Sequence, residues 1–482
     1  MRMSKSAANP GGQKGKRGLV GVRSHRLHRP PAELAGGSIT ASTPMSPEMV
    51  DRLFWRAGFG PTNADREQWT GNTLGAAVKW LLSTPAAYSG TPGTDQGAAL
   101  DPTGNDSDLV LSWVDQMNRS INPFVERMTF FWHEHWANSR ESVSPPQLLM
   151  TQTELFRKYA DFATHPKANF ADMAYAVTID PSMLRYLTGE LNVRGAPNEN
   201  YAREFMELFT LGVTDAAGKP NYSQTDVEQL AKAFSGWQIN DTNPNNVYSY
   251  FTQSRWYDGP KLVFGEFSNL TAAEAVKLVL TRRAHAPFIV NAIWNEFIVS
   301  LPDAATLKSL THLYTSSGMQ IRPLMQAILM HPLLFESLEE PNMVKSPVVY
   351  VVGALRAMGI QITDTTASDY LDGMGELPYF PPTVAGWEGG LSWLNTDTAL
   401  ARFNFISALL QDAKIKDLQG ETAAEAYARA YVAVGSPWLA PATQAKIKRF
   451  AAAAQSSTPE SRINRQVTLR ALILAGPDAQ VM

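Results

Sequence analysis

The chain has 482 residues, of which 44% are hydrophobic and 18% charged, a balance that excludes an intrinsically disordered chain. It contains no cysteine, so disulfides, thiolate nucleophiles and Cys-ligated zinc or iron–sulfur centres are excluded, and any metal falls to His, Asp, Glu or backbone oxygens. The net charge of −3 conceals a split, because residues 1–44 hold eight Lys or Arg and one acid, Glu33, leaving 34 basic and 44 acidic residues (formally −10) in a body too acidic for broad nucleic-acid binding.

Residues 1–44 are rich in Gly, Ser, Pro and Arg and read as a disordered basic tail. No apolar run follows the early basic residues as a signal peptide requires. A cytoplasmic location is expected on that ground, with an exported or periplasmic one as the alternative. No stretch approaches the roughly 18 apolar residues of a membrane span.

From Pro47 the apolar period is helical, and residues 45–482 read as one large multi-helical domain. Met49, Leu53 and Phe54 open a face that ends in the turn Gly58-Phe59-Gly60-Pro61. Helical periods recur at 73–83 and 107–118, separated by a Gly-, Thr- and Asp-rich linker at 89–106. Further helices are expected at about 123–137, 146–164, 168–178, 198–211 and 224–236. Ser223-Gln224-Thr225-Asp226 fits a capping box with Asp226 in the acidic place. Residues 240–268 differ. Val247, Tyr248, Tyr250 and Phe251, then Lys261 to Gly265 after the turn Asp258-Gly259-Pro260, suggest a small β-hairpin insertion. Asp258 is a turn residue first and a ligand candidate second. Helices resume at 271–283, 286–299, 304–316, 322–330 and 344–358. A loop rich in Pro, Gly and Trp occupies 376–396, and three or four helices close the chain. The fold class is mainly α.

Two segments concentrate chemistry. The first is Phe130-Phe131-Trp132-His133-Glu134-His135-Trp136. At ~100° per residue, His133 and His135 point about 200° apart on a continuous helix. One metal takes both only if the helix ends there, and Ala137-Asn138-Ser139 allows such an ending. The second is Asn198 to Phe209, where Asn200, Arg203, Glu204 and Glu207 share a helical face opposite Phe205, Leu208 and Phe209. Two carboxylates and an Arg on one face can hold a metal, or serve as acid and base where burial separates their pKa values. An exposed face with Arg203 paired to Glu207 explains the same residues. Trp387 and Trp393 sit in the 376–396 loop, where indoles suit stacking on a sugar, contact with a partner, or packing on a helix. The chain has no G-x-x-x-x-G-K-[ST] loop, G-x-S-x-G elbow, H-E-x-x-H helix or EF-hand.

These motifs resemble a bacterial family, the domain of unknown function family 1800. The resemblance is carried in order by Phe54 to Gly60 (FWRAGFG), by Glu126-Arg127-Met128 with Phe131 to His135, and by Pro197 to Val213 (PNENYAREFMELFTLGV). Tyr222 to Trp237, then Lys345-Ser346-Pro347 with Arg356, and Pro381 to Arg402 (PPTVAGWEGGLSWLNTDTALAR) continue it. It spans about residues 47–480. Glu376 stands where the family usually has Gln, Trp136 where it usually has Phe, and Tyr257 where it often has His. Arg185 to Thr188 lacks the Asp that typically follows Tyr-Leu. The resemblance implies a helical fold and that the His and Glu segments share a site, without a reaction.

Two functions follow. In a hydrolase, His133, His135, Glu204 and Glu207 would bind a divalent Zn, Mn or Fe ion or act as acid and base. Asn198, Asn200 and Arg203 would orient substrate, and Trp387 and Trp393 would line the approach. A metal-free pair of carboxylates would suit glycosidic bonds. In a non-catalytic binding or assembly protein, the same motifs would form a buried polar network, with a saccharide or protein as partner. Convergence of the four residues around an open pocket favours the first function, and separate satisfaction in closed packing the second.

Overall fold

Short polar caps cut the chain into helices. Ser46, Thr73, Asn105 and Asn169 each accept a backbone N–H from the first turn of the helix that follows. This supplies an acceptor for a group that the helix itself leaves unpaired. The capping box at Ser223 and Asp226 forms in both directions. Asp226 Oδ1 also accepts the N–H of Phe264 at 2.7 Å and so ties a β-turn to a helix start.

The computed structural model describes residues 39–411 and 413–482. Among these, twenty α-helices account for most of the fold, and the only sheets are three antiparallel pairs. The expected hairpin insertion is two hairpins. Trp237–Asn240 pairs with Tyr248–Phe251, and Lys261–Val263 pairs with Glu266–Ser268. The two strand-prone runs do not pair with each other, because each finds a partner a few residues away, where closing the loop costs least. The linker at 89–106 holds the third, two-residue pair. The basic segment falls outside the described residues through position 38. Ala41 and Thr43 already accept backbone hydrogen bonds from Gly75 and Leu74.

Buried apolar side chains form two clusters. One gathers helices from the first half of the chain with those between Ala272 and Leu329. The other gathers Asp106–Arg119, Pro347–Met358 and the closing helices. The helix Pro123–His135 feeds both. Phe124, Val125, Met128, Phe131 and Trp132 enter the first cluster and Phe130 the second. Twelve of its thirteen residues are buried, so its polar side chains must find partners inside the protein. Among the described residues no helix is long and apolar enough to cross a membrane.

Candidate functional site

The Pro123–His135 helix runs through both histidines and is capped by Trp136. His133 and His135 therefore face different walls. His133 is 1% exposed, and its Nε2 accepts the backbone N–H of Tyr379 at 3.1 Å. That bond needs the neutral ring with its proton on Nδ1. Burial pushes its pKa down to about 3. Its ring packs against Trp113, Phe130, Tyr379 and Trp387. His135 Nε2 lies 3.0 Å from the carbonyl oxygen of Phe209, to which it donates. Its ring contacts Phe131, Trp136 and Phe209.

The second segment begins as an α-helix, Asn200–Glu204, and widens into a π-helical turn, Phe205–Thr210. The wider turn carries the Phe209 carbonyl to His135, so the two motif segments do touch. They meet through ring and backbone, not through four converging side chains. Arg203 pairs with Glu199 at 2.9 Å and with Gln224, rather than with Glu207. Glu207 accepts the phenol of Tyr222 at 3.1 Å. Glu204 adds to the negative field that, after burial, raises the pKa of Tyr186. Asn198 and Asn200 both donate to the hydroxyl of Thr188, at 2.8 and 3.1 Å. Trp387 and Trp393 are 4% and 9% exposed and offer no open indole face. Asp258 pairs with Arg194 at the surface. Among the described residues, no group of three or more His, Asp or Glu side chains is placed to hold a metal ion.

The neighbouring residues carry the densest polar packing. Glu126 is fully buried and accepts from Tyr88 (2.7 Å), Trp113 (2.8 Å) and Arg157 (2.7 and 3.1 Å). Arg127, one residue on, forms a buried ion pair with Glu296. Glu376 accepts the N–H of Val348 at 2.8 Å, at the start of the Pro347–Met358 helix. Burial and the nearby Glu134 carboxylate push the Glu376 pKa up to about 8. Arg127, Glu134, Glu296 and Ser346 line a small cavity of about 20 Å³ walled by Trp387 and Trp393. By size it holds about one or two waters.

The readings made from sequence include Trp387 and Trp393 but miss Arg127, Glu296 and Glu376. A signal exists for one pair: Arg127 and Glu134 lie seven residues apart, two turns along one helical face. The partners of that face come from distant helices and carry no local signal.

A mainly α protein with small hairpins and a buried polar frame around one central helix is the class that the geometry defines. The chain belongs to the family described as Protein of unknown function (DUF1800), which matches residues 52–481. No curated protein and no solved structure matches it.

Proposed function

We propose that this chain is a binding protein, and that its motif residues frame a small ligand cavity rather than a four-residue hydrolytic centre. One observation carries the reading. His133, His135 and Glu207 are each engaged by a different partner, Tyr379, Phe209 and Tyr222. Separate satisfaction supports a frame, because buried His133 and half-buried His135 and Glu207 each already have a hydrogen-bond partner within the fold. The cavity under Trp387 and Trp393 lies where the central helix passes between the two apolar clusters, and seams between packed units are common ligand positions.

The test is elemental analysis of the purified, untagged protein beside a His133→Ala/Glu204→Ala variant. Neither protein is expected to carry stoichiometric metal. Near-stoichiometric zinc, manganese or iron that vanishes in the variant would overturn the reading in favour of a metal-assisted hydrolase.

A second reading keeps the hydrolase but moves its carboxylates. Glu376 retains its proton close to Glu134, which lines the cavity, and a carboxyl group that keeps its proton near neutral pH is what a general acid requires. Release of reducing sugar from a glycan by the wild type, lost in both Glu134→Gln and Glu376→Gln, would support this reading over binding alone.

A further inference from the structure

We propose that the Lys345 amine is a nucleophile that forms an imine with a small neutral aldehyde; this goes beyond the binding reading and uses a different cavity. That cavity, of about 50 Å³, shares only Met482 with the one under Trp387 and Trp393. Lys345 opens the Lys345-Ser346-Pro347 motif and is 5% exposed. Its bonds show which end meets the cavity. Its backbone carbonyl accepts from Arg402, outside the wall, at 2.9 Å. Its Nζ lies 3.7 Å from the ring centre of Trp55, in the wall. The same Nζ donates to the carbonyl of Ala479, beside the wall residue Asp478, at 2.8 Å.

An amine attacks a carbonyl only as the free base, and desolvation or a neighbouring cation favours that form. Lys345 has both. Burial, then the Arg402 guanidinium, bring its pKa down to about 7, against the opposing charge of Asp51 and with a smaller push from Arg66. Near neutral pH about half of this amine is therefore free base, whereas an exposed lysine, losing its proton near ~10.4, offers on the order of one part in 10³. The bond to Ala479 leaves the lone pair free, because a carbonyl only accepts and so holds an N–H. In the reaction that lone pair forms the N–C bond as the π pair of the aldehyde C=O moves to oxygen. The carbinolamine then loses that oxygen as water, with both amine hydrogens, and leaves the C=N bond.

The wall selects the aldehyde. Room for roughly four waters suits a molecule of about three or four heavy atoms. Glu48, Asp51 and Asp478 oppose an anionic keto acid, and Arg52 already gives its guanidinium to four backbone carbonyls. The indoles of Trp55 and Trp438 suit a short uncharged chain.

The experiment treats the full wild-type chain with propionaldehyde and cyanoborohydride from pH 6 to pH 9, with pyruvate as the anionic comparator. Peptide mass spectrometry reads the rate of alkylation at each lysine, and circular dichroism confirms that the chain stays folded. At pH 7, Lys345 should be alkylated at least tenfold faster than the exposed Lys79 and Lys446. Taking the ratio of rates removes the pH dependence of the reagent. That ratio should hold steady below about pH 7 and fall above it, where Lys345 is already free base and the exposed lysines are still losing protons. Alkylation of Lys345 no faster than that of Lys446, or seen only once urea unfolds the chain, overturns the proposal. Alkylation by pyruvate as fast as by propionaldehyde overturns the neutral-aldehyde assignment. None of these outcomes bears on the binding reading, which the metal analysis tests separately.

Discussion

At the scale of single residues, the protein is organised by what its buried charges require. Glu126 illustrates the energetics. It has four hydrogen bonds from three side chains, two of them from Arg157. Removing one partner of a buried ion pair strands the other, at a cost of about 3–5 kcal/mol. Arg157→Ala should therefore lose about that much stability in urea unfolding. The double change Arg157→Ala/Glu126→Gln should lose less than the two single losses added together.

Glu376 gives a pH test. Its carboxyl stays protonated in the fold up to about 8, chiefly through burial, whereas an unfolded glutamate loses its proton near pH ~4.3. Between those values the folded chain binds a proton that the unfolded chain has released. The stability contribution of this group is thus full below that window, falls as pH rises through it, and stays lost above about 8. Glu376→Gln keeps the shape and removes the titration. Its stability relative to wild type should rise from pH 5 to pH 9 by on the order of 4 kcal/mol, read from urea midpoints at each pH. A pH-independent difference would show that Glu376 does not hold the proton.

At the scale of elements, caps and hairpins were legible because their causes are local. The Ser223–Asp226 box is four consecutive residues, and it forms as its spacing requires. What the spacing does not reveal is the second task of Asp226, the bond to Phe264 from 38 residues away. Asp226→Ala should therefore cost more than an isolated cap, about 2 kcal/mol rather than ~1. Ser223→Ala should cost only the cap. Thermal unfolding of the two variants decides it, and equal losses would mean that the Phe264 bond contributes nothing. The helix through Glu204 is the reverse case. Its apolar period predicts a plain helix, but the π-turn Phe205–Thr210 is set by packing and leads to the bond between the Phe209 carbonyl and His135.

At the scale of the whole molecule, the Pro123–His135 helix joins the two apolar clusters. A helix shared by both cannot leave one without exposing part of the other. Far-UV circular dichroism and tryptophan fluorescence should therefore report one coincident urea transition, the behaviour of a single cooperative unit. Two separated transitions would divide residues 45–482 into independent domains.

The sequence by itself determined the mainly α class, the family, most helix positions and the opposition of His133 and His135, since each follows from periodicity, motif order or the ~100° turn per residue. Tertiary structure alone decided which charges meet. Arg157 lies 31 residues from Glu126, and Glu296 lies 169 from Arg127. Such pairs are chosen by burial, where an unpaired charge is intolerable, and burial belongs to the packed molecule rather than to any window of its sequence.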